Sequence, residues 1–171
     1  MSNVAAYLEA AKQVVDLYDG VKTIVSDGRP VLTSNDIVAC AVPQGADPMS
    51  MPAAGTNVHK IVYDEEWEIP YITSWSTKAT VKIAWAYGAR YKGGGAYIPA
   101  VFTWCEDSDL STGQDFTVTF EAGSPYTQGD ENAPYAVLPV KVHFHEESVV
   151  DSFDKTYQYL LYGYGGEAQR L

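Results

Sequence analysis

The chain has 171 residues, 46% of them hydrophobic and only 19% charged. That is enough apolar material for one domain with a substantial core, and it argues against a disordered chain. Eleven basic residues against 22 acidic ones leave a formal net charge of −11. No nucleic-acid partner is therefore expected, since such binding needs cations to displace counterions, and attraction to an anionic membrane is disfavoured for the same reason.

Residues 3–25 carry Val4, Leu8, Ala11, Val15, Tyr18, Val21 and Val25 at steps of three and four, with Val14 and Ile24 widening the stripe. This spacing predicts an amphipathic α-helix, capped by Ser2 or Asn3 and kinked or ended early at Gly20. Such a helix either packs across a sheet or lies in a membrane interface, where Val4, Leu8, Ala11, Val15 and Tyr18 would insert. The opening MSNVAAYLEAAKQ lacks a cationic leader and an apolar run. The expectation is no signal peptide, and a protein that is cytoplasmic or released without a leader to act at a target membrane. No window reaches the apolar length of a spanning helix.

Residues 31–171 read as an all-β body in the same single domain. After the turn at 26–30, residues 35–42 alternate as a strand. The Pro- and Gly-rich stretch 43–57, PQGADPMSMPAAGTN, is a surface loop. VHKIVYDEEWEI at 58–69 is the next strand, followed by an aromatic bend with Trp67, Tyr71 and Trp75.

Residues 78–105 predict a long β-hairpin. Val81, Ile83, Trp85 and Tyr87 form one inward row, and Ile98, Ala100, Phe102 and Trp104 are expected as the other. Its tip, Arg90-Tyr91-Lys92-Gly93-Gly94-Gly95, puts two cations and a tyrosine on an acidic protein. Strands follow at 116–120, 136–145 and 155–164, separated by a second long loop at 123–134. Pro139 places its strand near an edge or a bulge. One helix followed by six or more antiparallel strands predicts a mainly β fold, an antiparallel β-sandwich or partly closed barrel with an N-terminal amphipathic helix.

Several motifs bear on chemistry. His143 and His145 lie two apart on one strand and share a face, so both imidazoles can reach one metal, with His59 a third candidate. The pair resembles the cupin HxH pattern, without that pattern's downstream glutamate and glycine spacing, and two solvent-facing strand histidines explain it more simply. Asp107, Asp109 and Asp115 allow a loose calcium site, though a polar hairpin turn accounts for them; Val118 stands where a helical calcium loop needs its glutamate. Glu65 and Glu66 beside Trp67 suit glycosidase chemistry only if they lie across a cleft. Cys40 and Cys105 can pair if their strands are neighbours. No nucleophile elbow, phosphate loop or metalloprotease helix occurs, so no enzyme, metal or cofactor is expected.

The remaining signal is aromatic: thirteen tyrosines and four tryptophans. The expected ligand site gathers Arg90, Tyr91, Lys92 and Tyr97 at the hairpin tip and Tyr126 in a loop. Tyr157, Tyr159, Tyr162 and Tyr164 join it from the last strand, and Trp67, Tyr71 and Trp75 from the bend. Such surfaces stack on sugars or cage quaternary ammonium headgroups. The layout is similar to the actinoporin type of cytolysin, a mobile amphipathic helix followed by a β-sandwich with an aromatic headgroup site. That resemblance implies a membrane or cell-surface recognition protein that oligomerises into a pore. A lectin-like module whose helix never moves is the alternative, and a metal-dependent β-barrel enzyme using the histidines is a further one. A homo-oligomer through the tyrosine surface is a possible partner arrangement.

Overall fold

A computed structural model of the protein describes residues 13–18, 20–69, 71–111, 113–149 and 151–171. In chain order the strands are β1 (Val14–Val15), β2 (Val21–Ser26), β3 (Arg29–Pro30), β4 (Ile37–Pro43), β5 (Gly55–Ile69), β6 (Ile72–Tyr87) and β7 (Ala89–Tyr91). They continue as β8 (Gly94–Leu110), β9 (Asp115–Ala122), β10 (Tyr126–Gln128), β11 (Tyr135–Glu147), β12 (Ser152–Tyr162) and β13 (Gln169–Arg170). A 3-10 turn, Pro48–Ser50, interrupts the loop before β5, with the Asp47 carboxylate accepting from Met49 N–H.

The 13 strands form one curled, half-barrel sheet. One run reads β5-β6-β8-β4-β1 and the other β12-β11-β9-β2-β3. A single parallel bridge, Tyr135 with Ala96, joins them between β11 and β8. The curl brings the two runs face to face. Tyr63 of β5 stacks on Phe144 of β11 at 4.7 Å between ring centroids and lies 5.6 Å from Phe116 of β9. Buried Ile24, Val25, Val38, Val81, Ile83, Trp85, Val101, Phe116, Val118, Phe120, Leu138, Val142 and Leu161 fill the space between. The mainly β expectation therefore holds, with the strands closing on each other part of the way.

The N-terminal helix does not hold. Among the described residues there is no α-helix. Val4, Leu8 and Ala11 lie outside the described residues, but the second half of the expected helix is strand. Val15 of β1 pairs with Val42, and β2 pairs with β9 from Val21↔Glu121 to Val25↔Val118. Tyr18 packs against the core, anchored by its N–H on the Asp16 carboxylate at 2.9 Å. The physical reason lies in the residues: VKTIVS is β-branched at four of its six positions, and Gly20 adopts φ +91, which no helix accommodates. The three-four spacing of valines was satisfied equally by two short strands, the second burying the consecutive Ile24 and Val25 where its register against β9 shifts.

The hairpin forms as expected, but one arm faces the other way. Antiparallel partners share a face, and β6 meets β8 as Val81↔Cys105, Ile83↔Thr103 and Trp85↔Val101. The buried row of β8 is accordingly Tyr97, Val101, Thr103 and Cys105; of the expected row Ile98 is buried, against β4, while Ala100, Phe102 and Trp104 are only half-buried. A one-residue change of register inverts a whole strand, and both rows of this arm are apolar enough to be buried. Pro139 escapes the usual penalty because β9 pairs with β11 only from Val140 onward, where Val140 meets Ala122. Cys40 and Cys105 are buried free thiols despite lying on neighbouring strands β4 and β8.

Candidate functional site

The tip of the hairpin is built by a two-residue turn. Lys92 at φ 50 and Gly93 at φ 83 are both left-handed, the geometry of the tight hairpin turn that matches strand twist, and Tyr91 pairs with Gly94 across it. The turn leaves Arg90 exposed on β7. Gly95, at φ 73, allows the Tyr97 ring to pack beneath it, since a Cβ there would lie 2.4 Å from that ring.

Arg90, Gly93, Gly94 and Gly95 form one wall of a groove of about 570 Å³. The opposite wall is Gly129 to Tyr135 with Tyr164. Asp130 folds this loop by accepting the N–H groups of Asn132 at 2.9 Å and Ala133 at 2.8 Å through one carboxylate oxygen. Tyr135 and Tyr164 meet edge to face at 4.8 Å. Tyr162 stacks on Tyr164 at 5.2 Å and meets Tyr135 at 6.4 Å. Tyr135 O–H donates to Gln128 Oε1 at 3.1 Å, and Tyr162 O–H bonds Gln169. Burial raises the Tyr162 phenol above its ordinary value, with Tyr164, Tyr126 and Tyr135 reinforcing the shift. The result is a small-residue floor, an aromatic wall and three polar groups, Arg90, Asp130 and Asn132, in one concavity.

The sequence-based site residues divide sharply. Arg90 and Tyr164 line the groove, and Tyr162 stacks on Tyr164 without lining it. Tyr91 and Lys92 sit beside it, with the Lys92 ammonium 5.2 Å above the Tyr91 ring. Tyr126 of β10 is exposed. Tyr97, Tyr157 and Tyr159 are core residues, so the expected platform on the last strand loses half its members. Period 2 explains the loss: Tyr157, Tyr159 and Leu161 point inward, while Thr156, Gln158 and Tyr162 point out. Trp67 and Trp75 are direct cross-strand partners at the far end of the β5-β6 ladder, which starts at Gly55↔Tyr87. That end lies roughly 40 Å from the tip at the usual strand rise. There Trp67 meets Phe153 edge to face at 5.5 Å and Tyr71 is fully exposed at φ 70. Sequence reasoning missed Asp130, Asn132 and Tyr135. The signal was present in GDENAPY, a turn-forming string ending in a tyrosine.

The other candidates fare differently. His59 stands apart from His143 and His145; its ring lies 4.5 Å from Tyr159 and lines a second groove of about 530 Å³ with Asn57, Trp85 and Glu167. Burial lowers the His59 pKa, and Glu167 opposes the shift. Asp107 and Asp109 lie within β8 and Asp115 within β9, so the loop expected to hold calcium is strand. Glu65 and Glu66, adjacent on β5, point to opposite faces, and Glu65 is ion-paired with Lys155. They do not flank a cleft as a glycosidase pair. Burial pushes the Cys40 thiol up to about 11 and raises that of Cys105, which suits inert core thiols and not nucleophiles.

The chain matches no protein-family model, no curated protein and no solved structure.

Proposed function

We propose that the protein is a non-enzymatic recognition module that binds a saccharide in the groove between the hairpin tip and the 129–135 loop. The observation that carries this reading is the joint presence of the Tyr135–Tyr164 wall and the Arg90, Asp130 and Asn132 groups in one concavity. A pyranose has an apolar C–H face and an equatorial rim of hydroxyls. Tyrosine rings bury the first at low entropic cost, and guanidinium, carboxylate and amide groups bond the second. The glycine floor lets backbone N–H and C=O groups approach a ligand closely. The pore-forming reading needed an amphipathic helix through residue 25, and Val14–Val15 and Val21–Ser26 are strands instead. No described helix is long and apolar enough to cross a membrane.

A glycan array, followed by calorimetry on the best ligands, tests the proposal. Tyr164→Ala and Arg90→Ala are each expected to weaken binding at least about tenfold, the cost of one lost stacking or charge-assisted contact. Trp75→Ala, at the far end of the ladder, is expected to leave it unchanged. An array with no hits, or hits insensitive to Tyr164→Ala, would refute the reading.

A further inference from the structure

The outer face of the β11-β12 ladder carries a second constellation, independent of the groove. His145 stands directly opposite Asp154, and His143 opposite Thr156. Because strand side chains alternate, all four project from the same face of the sheet. One carboxylate oxygen, Asp154 Oδ1, receives both rings: His145 Nδ1 at 2.8 Å and His143 Nε2 at 3.0 Å. The other nitrogen of His143 is held by Thr156 Oγ1 at 2.8 Å, which keeps the ring turned with Nε2 toward Asp154.

We propose that His143, His145 and Asp154 form a binding site for a divalent transition-metal ion of the copper, nickel or zinc class. Three observations support it. The donor atoms already lie within 4.8 Å of one another. An ion about 2.0–2.1 Å from each donor sets neighbouring donors about 2.9 Å apart at right angles, or about 3.4 Å apart in a tetrahedron. The two N···O separations of 2.8 and 3.0 Å therefore fit square or octahedral coordination as they stand and tetrahedral coordination after a small opening. Secondly, Thr156 supplies the outer partner that orients a ligating imidazole. Thirdly, the side chains are 42%, 38% and 55% exposed, so an ion is reachable and keeps open positions toward solvent. Two imidazoles with one carboxylate select late transition metals over calcium and magnesium, which take oxygen ligands. The neighbouring strand adds no competing cation to the two histidines, since β9 sets Thr119 and Thr117 beside them; along β11 the same face carries Lys141 on one side and Glu147 on the other. The strongly acidic chain favours cation approach in general. An ion here clamps β11 to β12 and binds only the folded ladder.

The test uses the untagged full chain, stripped with EDTA and titrated calorimetrically with Cu²⁺, Ni²⁺ and Zn²⁺, with thermal unfolding followed in parallel. One equivalent per chain is expected, with a rise in melting temperature that EDTA reverses and no response to Mg²⁺ or Ca²⁺. His145→Ala and Asp154→Ala should each weaken binding by more than about tenfold, and Thr156→Val by about tenfold, as loss of an outer partner does. Circular dichroism and metal-free melting of each variant establish that it folds. His59→Ala should bind as the parent does. Absence of a saturable single site, undiminished binding by a folded His143→Ala/His145→Ala double variant, or loss of binding in His59→Ala would each overturn the proposal.

Discussion

The sharpest energetic test lies at the centre of the core, where Tyr63 and Glu146 meet. Tyr63 O–H donates to Glu146 Oε2 at 2.6 Å, with both side chains at 0–2% exposure. Glu146 Oε1 is also buried and has no hydrogen-bond partner. The carboxyl group is thus held in the interior by one bond. Tyr63→Phe removes that bond and leaves the ring stack on Phe144 in place. The loss of a bond to a carboxylate, with the acceptor then buried alone, amounts to about 2–3 kcal/mol. Glu146→Met keeps the length of the side chain and leaves the phenol unpartnered, an expected cost of about 1–2 kcal/mol. The double variant replaces both partners with apolar groups of similar shape, and its cost should fall below that of Tyr63→Phe alone. Urea unfolding with an unchanged m-value measures all three. A coupling of at least about 1 kcal/mol is expected across the cycle. If Tyr63→Phe costs less than about 0.5 kcal/mol, or the two single costs simply add, the bond is not what holds Glu146 inside.

Three further outcomes follow from burial. Burial, aided by Glu146, raises the Tyr63 phenol, and burial also raises Tyr159 and Tyr162. The folded chain then retains protons that the unfolded chain releases, so this contribution is intact below about pH 10 and is lost above it, at up to about 1.4 kcal/mol per pH unit for Tyr63. A phenolate absorbance titration should show Tyr63 ionising only with alkaline unfolding and Tyr159 and Tyr162 later than exposed tyrosines; a single uniform transition near pH 10 in the native protein contradicts it. Gly163→Ala places a Cβ 2.2 Å from Ala96 O and 3.2 Å from Ala136 N, both backbone atoms, where β8 and β11 are tied together. A loss of at least about 2 kcal/mol is expected in the same urea assay, and a neutral result would show that this junction yields. Cys40, with its thiol pushed up to about 11, should react with a disulfide reagent orders of magnitude more slowly in the native protein than in denaturant; equal rates would place it at the surface.

Much of the β architecture was legible in the residues themselves. The segments at 58–69, 116–120 and 136–145 lie within strands, and those at 35–42 and 155–164 overlap strands that run Ile37–Pro43 and Ser152–Tyr162. The hairpin was equally clear, because two alternating apolar runs flank the glycine-rich stretch Arg90 to Gly95, within which the structure places the turn at Lys92-Gly93. These features depend on backbone preference and period, which a short window of sequence contains.

Three other features were decided by tertiary contact. Residues 14–25 satisfied a helical stripe and a pair of strands alike; the available edges of β4 and β9 settled the matter, through Val15↔Val42 and Val21↔Glu121. In β8 both rows were apolar, and only pairing with β6 turned Val101, Thr103 and Cys105 inward and left Trp104 half-buried. The two candidate sites join residues far apart in the chain. Arg90 shares a groove with Tyr135 and Tyr164 because Ala96 bridges to Tyr135, and His143 and His145 gain Asp154 through the β11-β12 register. Composition and period thus determined that this chain is a tyrosine-rich β protein with a cationic hairpin tip. Which tyrosines line the groove, and which carboxylate meets the histidines, was decided by strand register, because register is an interaction between segments and is written in neither segment alone.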